Sequence, residues 1–188
     1  MATPILTVAN QLTLLRMALS PLLVVAVLSH DYTWALVIFV VAAVSDLLDG
    51  LIARLGHQKT TLGAMLDPVA DKVLLNSSFV ALTWTSGLEA RIPAWLTVIA
   101  LSRDAIILVS VTIINLTVGR RIFYPSLLGK LCTLSQILTA GAVLLLNALG
   151  VEWEPVMHLF RITLLLTVAS ALHYVHLASQ GKGSSEPP

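Results

Sequence analysis

The sequence predicts an all-α integral membrane protein with six transmembrane helices, and three observations carry that reading. Of 188 residues, 57% are hydrophobic and only 11% are charged, with a mean hydropathy of +0.90. A soluble domain carries roughly 25% charged residues. The apolar residues fall in runs that reach the length of about 20 needed to cross a bilayer. Basic residues gather at one end of these runs and tryptophans at the other. The net charge of +1 gives no sign of nucleic-acid binding.

Residues 131–151 and 162–181 read as uninterrupted spans. The runs 12–30, 33–54, 66–86 and 93–118 reach full length only by taking in charged residues. That places Asp46, Asp49, Asp67, Asp71, Lys72, Arg103 and Asp104 in the membrane or at its edge. The segment PILTVANQLTLLR before the first span is mixed in polarity and predicts a short N-terminal amphipathic interfacial helix. The tail SQGKGSSEPP is rich in Gly, Ser and Pro, which predicts disorder. The expected organisation is one transmembrane domain over residues 1–179 and a disordered tail over 180–188. No cleavable signal peptide is expected. The single cysteine, Cys132, permits no internal disulfide and reads as a small apolar helix residue.

Orientation follows from the basic residues of short loops. With a cytoplasmic N-terminus, Arg54, Lys59, Arg120, Arg121, Lys130 and Lys182 share one side. Asp31, Glu89, Arg91, Glu152 and Glu154 share the other. Trp34, Trp84, Trp95 and Trp153 then fall near the outer helix ends, where indoles favour the interface. Both termini and the aspartates lie toward the cytoplasm.

The stretch SDLLDGLIARLGHQKTTLGAMLDPVADKV, residues 45–73, carries the chemistry. Asp46 and Asp49 are three apart near the end of the second helix, and Asp67 and Asp71 are four apart near the start of the third. Each spacing puts a pair on one helix face. A short loop makes the two helices antiparallel neighbours, so both pairs can meet at one depth. Four carboxylates at close quarters repel, and desolvation would protonate some of them. Divalent cations remove that conflict. Oxygen donors without Cys or His favour Mg²⁺, Mn²⁺ or Ca²⁺, and four carboxylates suit two ions about 3.5–4 Å apart. Gly50 and Gly63 lie where a side chain would crowd the cleft, and Ala53 is similarly small. Arg54 stands one turn beyond Gly50, placed for a phosphate or for the interface.

Asp46-x2-Asp49-Gly50-x2-Ala53-Arg54-x8-Gly63-x3-Asp67-x3-Asp71 resembles the signature of the CDP-alcohol phosphotransferases at every fixed position. The resemblance extends to Asn10-x2-Thr13-x2-Arg16, Asp67-Pro68-x2-Ala70-Asp71-Lys72, Ser102-Arg103-Asp104 and Gly129-Lys130-x2-Thr133-x2-Gln136. It implies six transmembrane helices, a homodimer and a cytoplasm-facing site with two divalent ions, Mg²⁺ or Mn²⁺. It implies that Asp46, Asp49, Asp67 and Asp71 are metal ligands, with Asp71 also the general base. It places Gly50, Ala53, Arg54 and Gly63 beside the CDP group. The implied donor is CDP-diacylglycerol. The spans NQLTLLR and IPAWLTVIALSRD to GKLCTLSQ are similar to the branch making phosphatidylglycerophosphate and cardiolipin. That implies glycerol-3-phosphate as acceptor, with phosphatidylglycerol the alternative, and a bacterial inner membrane. An anionic acceptor needs cations, and Arg103 and Lys130 are the expected acceptor-phosphate ligands. The competing role for Arg103 is pairing with an aspartate, and for Lys130 anchoring at the interface.

A cation transporter would also carry intramembrane carboxylates. Here the acids cluster near one membrane side, and the last two spans hold none. An aspartate-rich prenyltransferase would need a larger helical set. His173 and His176 are three apart, but with Tyr174 between them they read as an interfacial belt.

Overall fold

The computed structural model describes residues 8–56, 61–117, 127–152 and 154–179. Among them are six α-helices and no strand: α1 Val8–Leu28, α2 Tyr32–Gly56, α3 Thr61–Trp84, α4 Ala94–Thr117, α5 Leu127–Leu149 and α6 Val156–Ser179. The expected helices are present with shifted ends. α5 begins at Leu127 and α6 at Val156, earlier than charge-free runs indicate, because Lys130 sits inside the first turn of α5 and Arg161 inside the second turn of α6. Long basic side chains lay their stems along apolar surface and keep their charge outside it, so they need not end a helix. Residues 8–16 continue into α1 without a break and do not form a separate interfacial helix. Nothing in that stretch stops a helix, and Arg16 is buried in the packing instead of resting at an interface. Residues 1–7, the 180–188 tail and Trp153 lie outside the described residues.

α5 and the Val156–Tyr174 part of α6 are long and apolar enough to cross a membrane, and Leu14–Leu28 and Tyr32–Asp46 form shorter apolar stretches. The surface is inverted relative to a water-soluble bundle. Leu22, Val25, Val37, Val40, Val44, Leu138, Leu165 and Leu172 point outward, while Ser20, Ser45, Thr97, Gln136, Thr139, Thr163 and Thr167 are buried. Exposed apolar side chains in such numbers are stable against lipid. Small polar residues between helices are the usual packing surface there.

The chain divides into two compact units. The first holds α1, α2, α3 and the second half of α5, with α1 packed on both α2 and α3. Leu23, Val27, Phe39, Leu75, Phe79 and Leu82 fill its core. α1 ends in a Schellman motif: the His30 amide donates to Val27 O at 3.1 Å and the Asp31 amide to Ala26 O at 2.9 Å. His30 takes the left-handed conformation this requires, with φ 62°. α5 ends the same way at Gly150, φ 63°.

The second unit holds α4, the first half of α5 and α6. α4 packs on α6, and α5 meets α6 through hydroxyls. Cys132 Sγ lies 3.5 Å from Thr167 Oγ1, and Thr139 Oγ1 lies 2.8 Å from Thr163 Oγ1. Thr163 Oγ1 donates to Ser135 O at 3.3 Å.

Candidate active site

The turn Ser29–Asp31 makes α1 and α2 antiparallel. Arg16 lies about 18 Å back along α1 from that turn and Asp46 about 21 Å forward along α2, at 1.5 Å per residue. The two side chains therefore meet at one level. Arg16 Nη1 donates to Asp46 Oδ1 at 2.5 Å. The pair is asymmetric: the Arg16 side chain is 1% exposed and the Asp46 side chain 45%. Ser20 Oγ donates to the Arg16 carbonyl at 3.1 Å, one turn along α1. An isolated cation in such a place would be costly, because a buried charge needs a partner.

Asp49 stands three residues beyond Asp46 on α2, and Asp67 and Asp71 stand on the first half of α3. Gly50, Ala53 and Arg54 follow on α2, and Gly63 precedes Asp67 on α3. The side chains of these residues lie outside the described ones. Asp46 is thus the one aspartate of the signature whose environment is described, and its chemistry fits a divalent ion. A carboxylate has about four lone-pair sites. Arg16 engages Oδ1, and nearly half of the side-chain surface stays open.

Arg103 is buried on α4. Its Nη1 donates to Asp104 Oδ1 at 2.8 Å and its Nη2 to Ser170 Oγ on α6 at 2.7 Å. The expected competitor for its charge, an aspartate, is therefore present in the neighbouring residue. Lys130 is exposed on the first turn of α5. The α5–α6 contacts pair positions whose numbers sum to about 300, so one further turn brings Lys130 to the level of Ser170, the hydroxyl that holds Arg103.

Two residues without an assigned role in the sequence are prominent here. One is Arg16. The other is Gln136, 1% exposed, with neither carboxamide atom hydrogen-bonded among the described residues. The signal for both was the same: a polar residue at a fixed place inside an apolar run.

The chain is 36% identical over 156 residues to the CMP-forming cardiolipin synthase of Streptomyces coelicolor, covering 78% of this chain and 68% of that protein. It is 34% identical over 188 residues to a probable phosphatidylglycerophosphate synthase of Mycobacterium tuberculosis, covering 95% and 85%. The rat CMP-forming cardiolipin synthase is 41% identical over 106 residues, where the match spans 34% of that protein. The family model for CDP-alcohol phosphatidyltransferase matches residues 6–176, which takes in the helix carrying Arg16, all four aspartates, Arg103 and Lys130. A match across almost all of the chain, with the acidic signature inside it, places this protein in the CDP-alcohol phosphatidyltransferase family.

Proposed function

We propose that this enzyme transfers the phosphatidyl group of CDP-diacylglycerol to sn-glycerol-3-phosphate, giving phosphatidylglycerophosphate and CMP. The observation that carries the reading is the family match over residues 6–176 with the aspartate signature complete within it. The acceptor rests on the Mycobacterium tuberculosis relative, named a probable phosphatidylglycerophosphate synthase, which aligns over 95% of this chain.

Asp46, Asp49, Asp67 and Asp71 would hold two Mg²⁺ or Mn²⁺ ions, which when bound neutralise charge on the pyrophosphate and its leaving group. Asp71 accepts the proton of the attacking hydroxyl. The acceptor oxygen forms its bond to the lipid-linked phosphorus, and the bond to CMP breaks. Gly50, Ala53 and Gly63 would leave room for the CDP group, and Arg54 would pair with its phosphates. Arg103 and Lys130 hold the acceptor phosphate, a role supported by the shared level of Lys130 and the Arg103–Ser170 contact. All six helices span the bacterial inner membrane of a homodimer, with both termini and the site on the cytoplasmic side. Exposed Trp34, Trp84 and Trp95 near helix ends support that arrangement. The acyl chains stay in the bilayer while the polar acceptor arrives from the cytosol.

A second reading has specific support. The Streptomyces coelicolor relative, at 36% identity, is named a CMP-forming cardiolipin synthase. The Asp104 that follows Arg103 also resembles that branch, where the phosphatidylglycerophosphate branch tends to carry Glu. In this reading the acceptor is phosphatidylglycerol. The test is a product assay with CDP-diacylglycerol, Mg²⁺ or Mn²⁺, and either acceptor in separate tubes. Phosphatidylglycerophosphate from the first tube alone establishes the leading reading. Cardiolipin from the second alone replaces it.

A further inference from the structure

We propose that Arg16 is a positioning residue of the metal site: it fixes the Asp46 carboxylate through Oδ1 and leaves the rest of that carboxylate to the ion. The inference rests on the reading of Asp46 as a metal ligand.

Three features of the pair carry it. The first is its asymmetry. An ion pair that served helix packing alone would enclose both partners. Here the guanidinium is 1% exposed and the carboxylate 45%. The cation is locked inside the protein and the anion is presented outward. The second is how firmly the donor is held. Arg16 is among the largest fully buried side chains, on a helix that packs against both α2 and α3, so its direction is set by packing and not by solvent. The Ser20 hydroxyl on the Arg16 carbonyl adds a further tie within the turn. The third is charge. The signature places four carboxylates within two helix segments, and a fixed positive group against one of them lowers their mutual repulsion before any ion arrives.

A fixed cation has two opposed effects on ion affinity. Its charge repels the incoming ion. Water at a carboxylate with nearly half its surface open raises the local dielectric and weakens that repulsion. Its hydrogen bond removes the rotational freedom of Asp46, and partners that orient a ligand are worth about 10–100-fold in metal affinity. Orientation wins, so Arg16 strengthens ion binding.

The test measures Mn²⁺ binding to the purified full chain by electron paramagnetic resonance, with no lipid substrate present. Arg16→Met is expected to weaken Mn²⁺ binding about tenfold or more, and Arg16→Lys by a smaller factor, since lysine restores the charge without the planar fork. The bound-Mn²⁺ spectrum should broaden in both. Should Arg16→Met fail to fold, Arg16→Lys decides: a weakening beyond about threefold upholds the role, and a smaller one overturns it. Asp46→Asn sets the scale. If the wild-type chain binds no Mn²⁺, or Asp46→Asn binds it unchanged, the metal reading of Asp46 falls and this inference with it. If Asp46→Asn weakens binding and the Arg16 variants do not, only the role of Arg16 is overturned.

Discussion

Asn147 on α5 grips the backbone of Ala90 from both sides. Its Nδ2 donates to the Ala90 carbonyl at 2.7 Å, and its Oδ1 accepts the Ala90 amide at 3.3 Å and the Glu89 amide at 2.8 Å. One buried carboxamide does for this loop what a neighbouring strand would do. Asn147→Leu strands these backbone groups, and each buried unmet group costs about 1–3 kcal/mol. With three such groups and 2–4 °C per kcal/mol for a chain of this size, thermal unfolding in detergent should drop by at least about 6 °C. A drop within the error of the melt would mean that water replaces the carboxamide.

Asp71→Asn should abolish transfer and leave CDP-diacylglycerol binding in place. The motive is its proposed role as base, which an amide cannot fill. General-base loss costs about 10²–10⁴-fold, so CMP release should fall at least that far. A variant with most of its turnover intact would remove the assignment.

Lys130→Ala should raise the KM for the acceptor more than that for CDP-diacylglycerol. Lys130 is exposed on the first turn of α5 and free to meet a soluble phosphate there. Equal effects on the two constants would indicate a general structural part instead.

Ser170→Ala tests the neighbouring cation. It removes the hydroxyl that accepts from Arg103 Nη2 at 2.7 Å. A hydrogen bond to a charged group contributes about 1.5–3 kcal/mol. The melt should fall accordingly, and the acceptor KM should rise as Arg103 loses its fixed direction. A lower melting point with an unchanged acceptor KM would make Arg103 a packing residue of α4 and α6.

The helices were legible because each lies over a largely apolar run, and the aspartates' places on α2 and α3 follow from those runs, while the side chains of Asp49, Asp67 and Asp71 lie outside the described ones. Other features depend on distance between elements, which no local pattern encodes. Arg16 meets Asp46 only because a three-residue turn leaves nearly equal lengths of α1 and α2 on either side. Arg103 pairs with its own neighbour Asp104, a contact that helical spacing argues against, since adjacent residues project from different faces. The starts of α5 and α6 differ from the charge-free runs for a simpler reason: Lys130 and Arg161 lie within the first two turns of these helices, and a basic side chain there does not end a helix.

Several hydroxyls in these helices are satisfied by their own helix. Ser20, Ser45, Ser78, Thr83, Thr133, Thr139 and Thr167 each donate to the carbonyl one turn back. On the six-span reading, these hydroxyls can enter lipid with their helix, because none of them waits for a companion. α4 can do so too, because Arg103 carries its counter-charge in the next residue. α1 cannot: Arg16 meets the carboxylate of Asp46 on α2. The order of biogenesis follows. The first two helices must pass into the bilayer together, as a hairpin already closed by its ion pair, before the rest of the bundle has been synthesised.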